Sequence, residues 1–348
     1  MKPEWKTFLA DAGAEFEDDH VANFGNPERE KRVTTTGTVI CDLSHHGLIA
    51  AYGDEAQAFL QGQFSNDVHQ VGDTHSQLSS YCSPKGRMLA LFRLFMLDGT
   101  YYLRLPRETL ETTLKRLRMY VLMSKVTLED ASDALVRIGV SGPDAETELS
   151  AVVGTLPRTV DEVVSGKTYT VIRINGPHPR FEVYGQLEAM TRLWDALNVH
   201  GAPVGASSWA LLDILAGVPT VHPQTSEAFV PQMANLELIG GVSFKKGCYP
   251  GQEIVARMQY LGKNKRRMYR VHIGAETRPA PGEEIYAKDQ GEPVGKLVDA
   301  QAHPDGGYEG LAVLLISAAE TGEPLRLGTK GPAVELGTLP YDIPAIAS

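Results

Sequence analysis

One stretch of this sequence has the residue types and spacing for chemistry: Phe244 to Arg270, FKKGCYPGQEIVARMQYLGKNKRRMYR. A single cysteine, Cys248, stands between Gly247 and Tyr249-Pro250-Gly251. Glycines at such places let a ligand or another backbone come close. A helical run follows from Glu253 to Tyr260, so the loop opens onto a helix N-terminus with unpaired N–H groups and a positive dipole end. Beside Lys245 and Lys246, a thiol in that setting gains thiolate character and acts as a nucleophile or soft ligand. The alternative for a lone cysteine is a small buried apolar residue. From Lys245 to Arg270 there are eight bases, Lys245, Lys246, Arg257, Lys263, Lys265, Arg266, Arg267 and Arg270, against one acid, Glu253. The whole chain carries a net charge of −10. A local reversal of that size calls for an anionic ligand or partner, unless the run is only a solvated helix face.

Other candidates carry less. His45 and His46 have the chemistry of a metal ligand or an acid–base group, but no carboxylate stands at ligand spacing. A pair at a strand end, one residue buried and one exposed, explains them as well. Cys41, Cys82 and Cys248 are odd in number and far apart, which argues against a disulfide framework and for a reducing compartment. Three thiols also fall short of the four that an iron–sulfur cluster usually takes. No metal site is expected. Lys85-Gly86-Arg87 suits an anionic tail or a plain hairpin turn. Asn66, Asp67 and Asn235 pin loops or cap helices as readily as they contact a ligand.

These residues must be positioned by a chain of 348 residues, enough for two or three domains. It is 43% apolar and 22% charged, which is globular composition with a core of ordinary size. An acidic chain is a poor general nucleic-acid binder. Met1 to Asp19 has no apolar leader segment, and the longest apolar stretch, Leu311 to Ile316, is far short of the ~20 residues of a membrane helix. A cytoplasmic protein without membrane contact is expected. Residues 1–32 read as a peripheral N-terminal extension with one short helix through Trp5, Phe8, Leu9 and Ala12. Residues 38–52 are strand material, followed by a turn at Gly53-Asp54 and a helix to Gln63. Leu89 to Leu97 and Thr100 to Leu105 flank Asp98-Gly99, a type I′ hairpin signal. A helix over Arg107 to Met123 carries Leu110, Leu114, Leu117 and Val121 on one face. Leu48–Leu60 (LIAAYGDEAQAFL) and Arg137–Leu149 (RIGVSGPDAETEL) share strand, glycine turn, acidic cap and helix, which predicts two related α+β modules. Helices are also expected over Gln186 to Leu197 and Trp209 to Ala216. After Lys265, six short apolar runs alternate with Gly/Pro clusters, the pattern of a small β-barrel or sandwich.

Lys245-Lys246-Gly247-Cys248-Tyr249-Pro250-Gly251-Gln252-Glu253 resembles the signature of the YgfZ-type folate-binding proteins, relatives of the glycine cleavage aminomethyltransferase. The likeness extends to Leu60-Gln61-Gly62-Gln63, Asn66-Asp67-Val68, Ser83-Pro84-Lys85-Gly86-Arg87-Met88, Ala216-Gly217-Val218-Pro219 and Phe229 to Leu236, over roughly residues 38 to 340. It implies an α+β fold, with two related α+β modules and a C-terminal β-barrel as a three-part ring around tetrahydrofolate, in some cases polyglutamylated. The corresponding division is 33–130 with 200–264, then 131–199, then 265–348. The resemblance further implies Cys248 as the functional thiol. It implies folate contacts from Trp209, His46, Asn66, Asp67, Lys85, Asn235, Lys246, Tyr249, Gln252, Glu253 and Arg257. The implied role is support of iron–sulfur protein assembly or repair, with iron–sulfur assembly or client proteins as partners, including radical tRNA-modifying enzymes, and no direct nucleic-acid contact. The alternatives are a folate-dependent aminomethyl or methyl transferase and a scaffold with a vestigial pocket. Ala90 and Leu91 stand where the transferases carry an aspartate pair, which disfavours transfer. Leu215 replaces a glutamate, and His46 a tryptophan.

Overall fold

The computed structural model describes residues 1–260, 264–287 and 291–344, and Lys263 of the basic run lies outside them. The chain forms two compact units that interleave along the sequence. The first comprises Met1–Gln57, His69–Gln77 and Arg93–Leu212, the second Ala58–Val68, Leu78–Phe92 and Asp213–Ser348.

The first unit is built on a six-stranded sheet in the order Val163–Ser165, Tyr169–Arg173, Arg180–Gly185, Val136–Ser141, Val39–Asp42 and Ala202–Val204. Val136–Ser141 and Val39–Asp42 are buried at every position, as strands covered on both faces must be. Alternate side chains divide between two cores. Ile40, Ile138 and Val140 meet Leu149, Met190, Leu193 and Trp194 from the helices Ala145–Val153 and Leu187–Leu197. Val39 and Cys41 meet Tyr184, Trp209 and Leu212, the last two from the helix Ala206–Leu215. The strands His46–Tyr52, Thr100–Pro106 and Thr127–Asp130 pair beside the end of Met88–Leu97 and carry the helix Arg107–Arg118. Asp98 and Gly99 both have positive φ, 50° and 75°, as a type I′ turn requires.

Three expectations need adjusting. The helix after Pro106 ends at Arg118, and Met119, Tyr120, Leu122 and Met123 are exposed. The apolar face is complete at Leu117, so nothing holds a further turn. The strand material of 38–52 is broken at 43–45, where Asp42 folds back to accept from Ser44. The N-terminal helix, Pro3–Asp11, is not peripheral: Trp5 and Leu9 are buried in the first core, and Trp5 Nε1 donates to Asp42 Oδ1 at 2.8 Å.

In the second unit, the strand Gln77–Cys82 runs beside Met88–Leu97. The six apolar runs after Lys265 are six strands of a closed barrel, in the order Arg266–Ile273, Tyr308–Leu315, Gly295–Ala302, Glu284–Ala287, Leu325–Leu327 and Ala333–Leu336. Val271, Leu297, Ala312 and Leu314 fill it. The helix Ile316–Glu320 was not legible, being too short to show a period. Among the described residues no helix is long and apolar enough to cross a membrane.

Burial pushes the Asp42 carboxyl upward, and the donations from Trp5 and Ser44 oppose that shift. Trp5→Phe keeps an aromatic side chain but removes the donor to a buried carboxylate along with part of the ring volume. A loss of about 1–3 kcal/mol of unfolding free energy is expected in urea titration; an unchanged midpoint would show that the Trp5–Asp42 hydrogen bond adds no stability.

Candidate functional site

The loop from Lys245 to Gln252 is ordered by what it turns inward. Lys246 is only 8% exposed, and its ammonium donates to the carbonyls of Gln61 at 2.7 Å, Asn66 at 3.0 Å and Phe64. An ammonium has three donors, and all three are committed to backbone. Those carbonyls lie at the end of the helix Ala56–Gln61 and in the loop after it, where backbone acceptors lack helical partners. Burial lowers the Lys246 pKa to about 8, with Asp67 acting in the opposite direction. Tyr249 is also buried, with its ring 5.2 Å from Lys246 Nζ, and burial raises its hydroxyl well above the ordinary range. Gln252 begins the helix Gln252–Tyr260 and donates to the Lys246 carbonyl at 3.3 Å. Cys248, between the two anchors, is exposed, whereas Cys41 and Cys82 are buried.

The Ser83-Pro84-Lys85-Gly86 turn docks directly on this loop. Gly86 and Gly251 have φ of +70° and +80°. A Cβ on Gly251 would stand 2.5 Å from Gly86 Cα and from the Ser83 carbonyl oxygen. Only glycine satisfies both the backbone conformation and the approach. The helix that follows is tied down where Gln232 Nε2 donates to the Val255 carbonyl at 2.6 Å. Two motifs more than 150 residues apart in sequence thus form one surface of the second unit.

The expected ligand residues divide accordingly. Lys85, Glu253 and Arg257 are exposed, and Asp67 and Gln252 are half-buried. Asn66 is committed internally: Nδ2 donates to the Leu78 and Gly240 carbonyls, and Oδ1 accepts from Asp67 N. Asn235 is fully buried in a left-handed conformation, with Nδ2 on the Met268 carbonyl. Lys246 is a strut rather than a free cation. The other bases of the run are largely spoken for. Arg267 pairs with Glu237, Arg270 with Glu309, and Arg266 donates to the Val294 carbonyl. Lys245, Arg257 and Lys265 remain exposed.

Trp209 and His46 belong to the first unit, and neither offers an open face. Trp209 is fully buried between Gly139 and the Arg180 guanidinium, which lies 4.0 Å from its ring. That contact makes it a core residue. His46 is buried, 4.1 Å ring to ring from His45, with Nε2 3.2 Å from Arg104. Burial, then the neighbouring His45 and arginines, pushes its pKa well below the ordinary value, and burial, then His20, Arg104 and Arg137, lowers His45 to about 3. Both rings are neutral near pH 7, and among the described residues no cluster of metal-ligating side chains occurs.

Sequence reasoning missed the buried ionic network beside them. Arg104 pairs with Glu182, which accepts from the Tyr184 hydroxyl at 2.6 Å. Burial alone would raise the Glu182 carboxyl, but Arg104 and Arg93 more than offset it. Gln63 Oε1 and Ser83 Oγ were missed as well: among the described residues, both are buried polar atoms without a hydrogen-bond partner.

The GCVT N-terminal domain family matches residues 11–246. The tRNA-modifying protein YgfZ of Colwellia psychrerythraea is 32% identical over 308 residues, covering 88% of this chain and 94% of that protein. The protein of the same name from Klebsiella pneumoniae is 31% identical over 303 residues, covering 86% and 92%. Among solved structures, the glycine cleavage system aminomethyltransferase T from Bartonella henselae superposes with a TM-score of 0.75 at 15% identity, over 97% of this chain and 96% of that one. At that identity the likeness establishes a common fold.

Two outcomes follow from the loop geometry. Lys246→Met strands three carbonyls and is expected to cost about 2–4 kcal/mol of stability; a loss below about 0.5 kcal/mol would sink the strut. With an aromatic disulfide reagent, one thiol of the native chain is expected to react quickly and two only on unfolding. The histidine pair generates a third. Its folded pKa values are depressed, so the unfolded state binds more protons between pH about 3 and 6.5. Stability is therefore fully present above pH 6.5 and is lost as pH falls through that window. His45→Phe is expected to flatten the slope by nearly one proton, read from urea midpoints across pH.

Proposed function

The chain belongs to the YgfZ family and to the GCVT N-terminal domain family, and we propose that it is a tetrahydrofolate-binding accessory protein that supports assembly or repair of iron–sulfur proteins, with Cys248 as its working thiol. One observation carries this reading. Of three cysteines, only Cys248 reaches solvent, and it does so on a loop fixed on either side by Lys246 and Tyr249. A thiol meant for the core would lie where Cys41 and Cys82 lie. An exposed thiol on a braced loop can approach the cluster of a client protein. There the Cys248 sulfur binds iron as its proton passes to solvent, and one of the client's own ligands leaves that iron.

Tetrahydrofolate supplies an anionic glutamate tail and a hydrogen-bonding pterin. The chain's own residues are partly suited to it. Lys85, Lys245 and Arg257 are exposed cations for the carboxylates. Asn66, Asn235 and Lys246 brace the second unit from within rather than contact a ligand, and Trp209 is a core residue of the first unit. One-carbon transfer is not favoured, because Ala90 and Leu91 are buried apolar residues with no acid or base to offer. The relatives are named for tRNA modification; we assign iron–sulfur enzymes that modify tRNA as the clients here.

In cells deprived of the chain, Cys248→Ser is expected to restore little of the activity of those enzymes while unfolding at the wild-type midpoint. Full restoration would remove the thiol from the mechanism. Calorimetric titration with tetrahydrofolate tests the ligand separately. Saturable binding weakened by Lys85→Ala or Arg257→Ala is expected; no heat up to millimolar ligand would exclude it.

A further inference from the structure

Away from the cysteine loop, the helix Pro27–Thr36 of the first unit presents two exposed arginines. Arg29 and Arg32 are exposed and three residues apart, hence on one face. Among the described residues neither guanidinium has a hydrogen bond or an ion pair. Most other arginines of this unit are engaged. Arg93, Arg104 and Arg173 meet carboxylates, and Arg118, Arg137 and Arg180 meet carbonyls. Like charges at this spacing repel. An unrelieved pair therefore suits a surface whose counter-charge is a ligand.

The same helix face lines a space that a ligand can enter. Asn26, Arg29, Arg32, Val33 and Thr36 border a cavity of about 400 Å³. A second cavity of about 390 Å³ adjoins it through Asn26, Arg29 and Val33. Its far wall mixes Phe24, Val199 and Pro203 with the polar Asn198 and His200. Phe24 is braced by the Trp194 ring, 5.6 Å away. Glu30 also borders this space, but its oxygens face backbone, accepting from Phe24 N at 2.7 Å and Gly205 N at 3.0 Å. The helix end is not the attraction, since Asn26 Oδ1 already caps Arg29 N and Pro27 has no N–H.

We propose that these adjoining cavities bind a phosphomonoester with a flat body, the chemistry of a nucleoside monophosphate. Arg29 and Arg32 take the phosphate, since paired guanidiniums match its oxygens bidentately. The Phe24 and Pro203 wall takes the base, where stacking adds binding without demanding one sequence. Each cavity is an open depression whose volume is within the range of small-molecule sites. A free nucleotide and the 5′-phosphorylated end of an RNA share this chemistry.

The test is calorimetric titration of the full chain at low salt. The probes are adenosine monophosphate, adenosine, inorganic phosphate, and a short oligoribonucleotide with a 5′-phosphate or a 5′-hydroxyl. Adenosine monophosphate is expected to bind at least about tenfold more tightly than phosphate or adenosine. The double variant Arg29→Gln, Arg32→Gln is expected to lose at least about tenfold in affinity with its unfolding midpoint unchanged. Binding of the 5′-phosphorylated oligonucleotide as tight as that of the mononucleotide assigns an RNA end; binding of the mononucleotide alone assigns a free nucleotide. The site is overturned by absence of binding at millimolar adenosine monophosphate, by affinity no better than that of inorganic phosphate, or by undiminished affinity in the double variant.

Discussion

The cysteine loop depends on one buried ammonium. Lys246 Nζ gathers the carbonyls of Gln61, Phe64 and Asn66, and so fixes a helix end, the loop after it and its own segment. A neutral side chain of the same length would leave that backbone unsatisfied inside the protein. With Lys246 and Tyr249 both turned in, the two residues between them have nowhere to point but outward. The exposure of Cys248 is thus a by-product of its neighbours' burial. The Gly86–Gly251 approach then sets which surface the thiol shares.

Charge along the chain is a poor guide to charge at the surface. Eight bases crowd the 26 residues from Lys245 to Arg270. Yet Lys246 is internal, Arg267 and Arg270 are neutralised by Glu237 and Glu309, and Arg266 serves a carbonyl. Much of the run holds the barrel strand Arg266–Ile273 to its surroundings in the second unit. Two further exposed arginines, Arg29 and Arg32, lie far from this run on the helix Pro27–Thr36.

What the sequence made legible was local. The Asp98-Gly99 turn, the six barrel strands and the two strand–glycine–helix segments each rest on residues within a few positions of one another. The cysteine loop was legible as a motif because its glycines and proline are contiguous with the thiol. What was not legible depends on distant partners. Trp5 is drawn inward by Asp42, 37 residues on, and Arg104 by Glu182, 78 residues on. Lys246 reads as a surface base until the carbonyls some 180 residues earlier are placed beside it. Trp209 reads as an aromatic wall until Gly139 and Arg180 close over it.

The interleaving of the two units matters while the chain is being made. The second unit owns Ala58–Val68 and Leu78–Phe92, but the rest of it begins only at Asp213. A ribosome adding about 5–20 residues per second therefore releases Met88-Leu89-Ala90-Leu91-Phe92 roughly 6–24 s before the segment that covers it starts to emerge. The first unit itself is complete only as that interval ends, at Leu212. The early pieces of the second unit wait as exposed apolar strand, with the carbonyls that Lys246 will gather still in water. The thiol loop is among the later parts of the chain to be organised, so a truncated or stalled chain would present no working cysteine.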